Sequence, residues 1–245
     1  MLRASDVTYV TPTIPGREEL LHRAVLSVAQ QRPAAHGVVV VLDSERHGAW
    51  WARNKGLDQV DTLVTGFLDD DDLLMENHTG VLIRAMHRTG ADLVFSNANF
   101  VGGRDPLACC HNGKLVPSPI NVPFGYEQQM HLDSRRFQWH SCGYLTGNFI
   151  PITYLVRTEL VRRVGGFPRP YSMPEVHTSG EAEDYLLLLR LLDAGAVFHH
   201  VLGVRTWTYH FWDGNVGGRG RDRLHEIAGP PGGHPGDAIG AAGQT

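Results

Sequence analysis

Cysteine is scarce in this chain, long apolar runs are missing, and positive charge is not in excess. The three cysteines among 245 residues argue against a disulfide framework and fit a reducing compartment. No stretch is apolar and long enough to cross a membrane, and the strand pattern that begins at Val7 leaves no room for a signal peptide. The formal net charge of -4 argues against non-specific nucleic-acid binding through bulk charge. We therefore expect a cytoplasmic protein without a membrane span.

The first hundred residues alternate between strand-like and helix-like patterns. Together with 42% hydrophobic residues, this alternation indicates an α/β domain whose mostly parallel sheet binds ligands at its carboxyl edge. A continuous β-branched run at 37–42 predicts a strand that is covered on both faces. We expect strands at 6–11, 37–42, 62–68 and 91–96, and helices at 17–31, 49–60 and 75–89.

The alternation stops after Phe100. Residues 102–144 are rich in Pro, Gly, His and aromatic residues, and a loop of this length is usually functional or disordered. Beyond it we expect a strand within 144–157, a helix at 157–164 that ends at two glycines, a helix at 183–194 and a strand at 197–210. Residues 1–228 are predicted to form one domain, and 229–245 a disordered Gly/Pro-rich tail.

Four consecutive carboxylates at 69–72 follow an apolar strand pattern and precede a helical pattern that begins at Leu73. In an extended chain Asp69 and Asp71 would point to one side, and Asp70 and Asp72 to the other. Adjacent anions repel, so we expect compensation from the N-terminus of the following helix or from a hard divalent cation. The run predicts a metal–diphosphate site, and the alternative is a solvated acidic loop that caps a helix.

A second acidic pair, Glu183 and Asp184, opens the Leu-rich helix. Carboxylates in a first helical turn are common for capping and dipole reasons. A carboxylate at a helix start is also well placed to face a cleft, where a transfer reaction needs a base for the incoming hydroxyl. The pair alone leaves both interpretations open.

Cysteine, histidine and aromatic residues in 102–144 also raise alternatives. Cys109-Cys110-His111 and His140-Ser141-Cys142 lack the ligand spacing of a zinc knuckle, which argues against zinc. Three aromatic residues of the same region would either stack on a sugar or base, or fold the segment onto the sheet: Tyr126, Phe137 and Trp139.

Five motifs together carry a resemblance to a known family. They are VTPTIPGR at 10–17, ARNKG at 52–56, FLDDDD at 67–72, VGGF at 164–167 and EDY at 183–185. In this order, over about 6–212, they resemble the family 2 glycosyltransferases of GT-A fold. The resemblance implies an α/β GT-A domain that transfers a sugar, with inversion, from a nucleoside-diphosphate sugar, most often a UDP-sugar. It also implies Mn²⁺ or Mg²⁺ as the cofactor.

The resemblance assigns roles to the acidic residues. Asp71 corresponds to the main metal ligand and Asp69 lies near the ribose or the metal, while the role of Asp72 stays open. His210 falls where several GT-A enzymes place a third metal ligand. Asp184 matches the catalytic base, with Glu183 beside it as a helper or acceptor contact.

Other residues match donor contacts of the family, with Asp43 placed at the base. Arg53 and Asn54 match nucleotide or diphosphate contacts, although surface charge on a helix is the alternative. Arg219 lies in a glycine-rich segment that is either a lid over the diphosphate or a basic terminus. The complete predicted donor set is Thr11, Pro12, Arg17, Asp43, Arg53, Asn54, Asp69 and Arg219.

Two other functions stay open at this point, a nucleotidyltransferase and a non-catalytic nucleotide-sugar-binding module. The acceptor is also open and includes a saccharide, a lipid carrier, a protein and a modified nucleic acid. We expect the insertion at 102–144 to form the acceptor side.

Overall fold

The predicted alternation builds a seven-stranded sheet with helices on both faces. A computed structural model describes residues 2–101, 109–111, 114–116, 138–139, 145–146, 152–169 and 183–210. All of these lie in the first of two units, Met1–Phe211, and the second, Trp212–Thr245, lies outside the described residues. The predicted boundary at 228 and the tail at 229–245 therefore stay predictions.

The elements are numbered in chain order. The strands are β1 (Val7–Thr13), β2 (Gly37–Leu42), β3 (Val64–Phe67), β4 (Leu73–Leu74), β5 (Leu93–Val101), β6 (Cys109–His111), β7 (Lys114–Val116), β8 (Gln138–Trp139), β9 (Leu145–Thr146), β10 (Tyr154–Arg157) and β11 (Phe198–His210). The helices are α1 (Glu18–Ala29), α2 (Ala49–Leu57), α3 (His78–Thr89), α4 (Thr158–Arg163) and α5 (Glu183–Asp193).

The main sheet has the order β2-β1-β3-β10-β5-β11-β4. β1 pairs in parallel with β2 and β3, and β11 pairs in parallel with β5. β10 runs antiparallel between β3 and β5, and β4 runs antiparallel to β11. Only β10 and β4 therefore oppose the common direction in this sheet, which confirms the mostly parallel prediction.

β11 is irregular in the middle. Its register against β5 shifts between Val201 and Arg205 and again between Arg205 and Trp207, and Gly203 has a φ of 69°. Such irregularities bend a strand. Beyond the bend, Trp207 pairs with Leu74 of β4. The part of β11 beyond the bend thus holds β4 at the edge of the sheet.

Each face of the sheet carries its own core. On one face the apolar sides of α2, α4 and α5 pack on the sheet, with Phe67, Tyr154 and Phe167 at the centre. On the other face α1 and α3 pack on it, with Tyr9 and Trp207 at the centre. Helix stripes and alternating strand faces therefore meet in two layers of buried apolar residues, as an α/β architecture requires.

Two local predictions are wrong. Leu73 and Leu74, where a helical pattern was expected to begin, form β4, and the helix predicted at 75–89 begins at His78. The N-terminus of α3 is thus separated from the carboxylates by a strand. β2 is an edge strand that leaves Val40 and Leu42 39% and 56% exposed, so it is not covered on both faces.

Most of the predicted insertion lies outside the described residues. Within it, β6 pairs with β7, and β8 pairs with β9, each as a two-stranded antiparallel ladder. The acceptor role of 102–144 stays a prediction. Among the residues that the structure describes, no helix combines the length and the apolarity needed to cross a membrane.

Candidate active site

The acidic run forms a turn. β3 is buried between β1 and β10, and the acidic run follows its carboxyl end. There Asp72 N donates a hydrogen bond to Asp69 O at 3.2 Å. The expected strict alternation of the four side chains is therefore wrong. Instead, Asp69, Asp71 and Asp72 each offer a carboxylate oxygen, and these oxygens all lie within 4.8 Å of one another.

Arg17 neutralises part of this charge. Its Nη2 lies 2.6 Å from Asp71 Oδ2 and 2.8 Å from Asp70 Oδ1. Thr13 Oγ1 donates to the other oxygen of Asp70 at 2.7 Å. Asp70 therefore binds Arg17 and Thr13, while Asp71 belongs to the cluster with Asp69 and Asp72. Arg17, expected at the nucleotide, is here a partner of the aspartates.

Burial raises the pKa of Asp71, and it raises that of Asp72 most strongly, with the charge of Asp69 adding to the effect in both. Asp72 Oδ1 accepts a hydrogen bond from His210 N at 3.0 Å. Asp72 Oδ2 is buried, and no described residue hydrogen-bonds to it. A buried carboxylate oxygen of this kind, beside two further carboxylates, fits a hard divalent cation.

His210 stands beside this cluster at the end of β11. Burial and the charge of Arg23 lower its pKa, so the ring is neutral near pH 7. Neutral imidazole is the form that binds metal ions. The structure thus brings His210 to Asp72, and its role as a ligand stays a prediction.

Arg53 connects the two acidic sites that the sequence left separate. Its Nη2 lies 2.6 Å from Asp69 Oδ1, and its Nη1 donates to Glu183 Oε1 at 2.5 Å. The side chain is only 5% exposed, and its guanidinium carbon lies 5.5 Å from the centroid of the Phe167 ring. Burial works to lower the pKa of Arg53, but the charges of Asp69 and Glu183 raise it overall. Arg53 is therefore a permanent cation between the carboxylates.

Asn54, the next residue of α2, brings the ARNKG and VGGF motifs together. Phe167 N donates to Asn54 Oδ1, and Asn54 Nδ2 donates to Phe167 O, both at 2.8 Å. Gly166 has a φ of 67°, and a Cβ there would lie 2.3 Å from Asn54 Oδ1. The motif glycine is therefore required by both conformation and space. The predicted donor contact of Asn54 stays untested, with its amide placed on Phe167.

Asp43 closes the loop that leads into α2. Its carboxylate accepts hydrogen bonds from Gly48 N at 2.7 Å and from His47 N at 3.0 Å, and it pairs with the His47 ring. Burial works to raise the pKa of Asp43, but the bonds from Gly48 and His47 lower it overall. Its predicted contact to the base stays a prediction.

The remaining predicted residues are distributed as follows. Thr11 and Pro12 lie in β1, where Thr11 is fully buried and Pro12 is half-buried. Glu183 and Asp184 open α5 and are half-buried. Arg219 lies outside the described residues.

Two residues of the site escaped the sequence prediction. An extended chain would have turned Asp72 away from Asp71, and the turn brings it into the cluster. Tyr154 of β10 is fully buried, and no described residue hydrogen-bonds to its hydroxyl. Burial raises its pKa, and the negative charge of Asp184 adds to this. A strand pattern gives no sign that a buried tyrosine lies near a helix terminus.

Comparisons with known proteins bear on the family and the fold. Residues 22–108 match the family model of glycosyl transferase family 2. The structure of S. aureus TarS 1-349 in complex with UDP-GlcNAc matches with a TM-score of 0.57, at 15% identity over 85% of this chain. The chain has a GT-A fold. The resemblance to family 2 drawn from the motifs is thereby confirmed.

Two further structures match the same GT-A fold. TarS 1-349 in complex with UDP gives a TM-score of 0.54, and the longer TarS chain gives 0.55, both at 15% identity over 84% of this chain. The chain spans 36% of that longer TarS chain and about 60% of the 1-349 form. No curated protein sequence matches the chain.

Proposed function

We propose that this chain is a metal-dependent, inverting glycosyltransferase that transfers a sugar from a nucleoside-diphosphate sugar, a UDP-sugar by preference, to an acceptor hydroxyl. The observation that carries the proposal is the pair of carboxylate groups joined through Arg53. One group suits a cation on a diphosphate, and the other contains a carboxylate suited to act as a base. The match to TarS with UDP-GlcNAc supports the choice of donor.

A divalent cation, Mn²⁺ or Mg²⁺, would be held by Asp69, Asp71, Asp72 and His210, and it would supply Lewis-acid stabilisation of the leaving diphosphate. The orphan oxygen of Asp72 supports this assignment. Arg17 keeps Asp71 and Asp70 in place from the other side.

Asp184 is assigned as the general base. The acceptor oxygen attacks the anomeric carbon, the bond from that carbon to the diphosphate oxygen breaks, and the hydroxyl proton moves to Asp184. Attack from the face opposite the leaving group inverts the anomeric centre. Glu183, bound to Arg53, keeps this end of α5 at the donor side.

A nucleotide-sugar panel tests the proposal. Thermal unfolding of the chain is followed with UDP and UDP-sugars, each with and without Mn²⁺, and donor hydrolysis is followed by UDP release. We expect stabilisation by UDP that requires the cation, and UDP release from at least one sugar donor. Absence of any effect of UDP would overturn the proposal.

Two additional assays, one with a nucleoside triphosphate and a sugar phosphate and one with acceptors of each class, separate the alternatives. A nucleotidyltransferase would release pyrophosphate from a nucleoside triphosphate and a sugar phosphate. A binding module would be stabilised by a UDP-sugar without releasing UDP in the presence of any acceptor class.

A further inference from the structure

Arg53 is buried between two carboxylates, which argues against a direct contact between its side chain and the donor. Both of its terminal nitrogens are engaged by carboxylates, Nη2 by Asp69 and Nη1 by Glu183, and the side chain is 5% exposed. Phe167 lies against the guanidinium at 5.5 Å. Because both terminal nitrogens bind carboxylates and the side chain is closed off from solvent, the guanidinium presents no exposed nitrogen pair to a diphosphate.

The helix that carries Arg53 is itself fixed. A Cβ at Gly56 would lie 2.3 Å from Val10 Cγ1, so α2 packs directly on β1. One residue after Arg53, Asn54 holds both backbone groups of Phe167. The backbone around Arg53 is therefore held against β1 and against the turn at Gly166 and Phe167. Its side chain alone extends to Asp69 and Glu183.

Arg53 joins two residues that are distant in sequence and belong to different parts of the proposed site. Asp69 follows β3 and belongs to the proposed cation cluster, while Glu183 begins α5 and directly precedes the proposed base. A base must stand within hydrogen-bond reach of the proton that it removes. The distance between the first turn of α5 and the aspartates after β3 thus depends on the link through Arg53.

We propose that Arg53 is a positioning residue that binds Asp69 and Glu183 simultaneously and so holds Asp184 at the working distance from the donor. This inference rests on the proposed function. It differs from a donor contact because it acts on the rate of transfer and leaves donor affinity unchanged.

The test compares Arg53→Met, Arg53→Lys, Glu183→Gln and the double variant Arg53→Met/Glu183→Gln. The matched control is Lys55→Met, which removes an exposed cation from the same helix. The kcat of UDP release and the donor KM are measured for each variant with the UDP-sugar that releases UDP in the panel, together with UDP affinity. The kcat is referred to the concentration of UDP-binding sites so that unfolded protein does not count.

We expect Arg53→Met to lower kcat about 10²-fold, the scale of an ångström-sized misplacement. Donor KM and UDP affinity should change by no more than about twofold. Arg53→Lys should lie between Met and wild type, because an ammonium contacts one carboxylate but lacks the fork. The double variant should be no slower than Arg53→Met, since both changes remove the same link. Lys55→Met should match wild type.

If Arg53→Met does not fold, Arg53→Lys and Glu183→Gln and their double variant provide the same cycle. A tenfold loss of UDP affinity at unchanged kcat in Arg53→Lys would show a donor contact and overturn the inference, as would effects that multiply in the double variant. In both outcomes wild type still transfers sugar, so the proposed function stands. A wild-type chain that neither binds UDP nor transfers sugar overturns the proposed function and this inference together.

Discussion

The side-chain amide of Asn54 holds both backbone groups of Phe167, as acceptor from its N–H and as donor to its carbonyl, at 2.8 Å in each case. The two residues are 113 positions apart. Gly166 lies directly beneath this contact in a left-handed conformation. The contact therefore positions the turn after α4. It also positions the Phe167 ring, which lies against the Arg53 guanidinium.

Gly166→Ala should destabilise the protein by more than the conformational cost alone. A left-handed alanine costs about 1–2 kcal/mol, and its Cβ would also lie 2.3 Å from Asn54 Oδ1. The control is Gly195→Ala, since Gly195 has a φ of 79° and nothing within 4 Å of the added Cβ. Chemical denaturation should show the larger loss at Gly166. Equal losses would mean that the Asn54 contact gives way without cost.

Asp71→Ala should abolish the Mn²⁺-dependent stabilisation by UDP while the fold persists. Asp71 lies in the turn after β3, and Arg17 keeps Asp70 as a partner when Asp71 is gone. Melting temperatures with UDP, with and without Mn²⁺, provide the measurement. Asp61→Ala removes an exposed carboxylate before the same strand and should behave as wild type. An Asp71→Ala variant with the full stabilisation would contradict the assignment of the cation site.

Asp184→Asn should lower kcat by roughly 10²–10⁴-fold, because an amide cannot accept the proton of the acceptor hydroxyl. Donor affinity should hardly change, since the proposed role of Asp184 begins when that proton is removed. Glu183→Gln is the neighbouring control and should reduce kcat less. Circular dichroism and UDP binding must show that the variant is folded. A near wild-type rate in Asp184→Asn would make the assignment wrong.

The free energy of unfolding should fall in mild acid because His78 is buried as a neutral ring. Burial lowers its pKa from 6.5 to about 3 in the folded protein, where its Nδ1 pairs with Thr206 Oγ1 at 2.7 Å. Between these two values the unfolded chain binds the additional proton, so stability is present above about pH 6.5 and is lost as the pH falls toward 3. The contribution lost by pH 5 is about 2 kcal/mol.

The measurement is urea denaturation between pH 5 and pH 7. His78→Gln should flatten the pH dependence of the free energy of unfolding, even if it lowers stability at pH 7. His87→Gln changes an exposed histidine of the same helix and should leave the slope unchanged. An unaltered slope in His78→Gln would exclude His78 as the titrating group.

Sequence patterns predicted the strand and helix order because apolar periodicity reports burial directly, and β2 was predicted to its exact ends. They did not show that β2 lies at the sheet edge, because a β-branched run occurs in edge and central strands alike. The helical pattern predicted from Leu73 was wrong for a similar reason: two leucines suit a strand equally well, and they pair with Trp207 and Thr208 of β11.

The residue types of the site were predictable, but their partners were not. Motif order pointed to Asp71, Asp184 and Arg53, yet the links from Arg53 to Asp69 and Glu183 span 16 and 130 positions. Such contacts depend on how the whole sheet brings α2 and α5 together, which no local pattern contains. For the same reason Tyr154 gave no signal.

Only residues 68–72 connect β3 to β4, and both strands belong to one sheet. The segment that carries the carboxylates is consequently fixed at both ends, and Arg17 and Arg53 offset part of its negative charge. One of these ends is held by the terminal part of β11, beyond its bend at Gly203. If the proposed cation site is right, we expect a substitution at that bend to alter cation affinity without changing any carboxylate. In the proposed function, cation binding would therefore depend on the curvature of the sheet as well as on the aspartates.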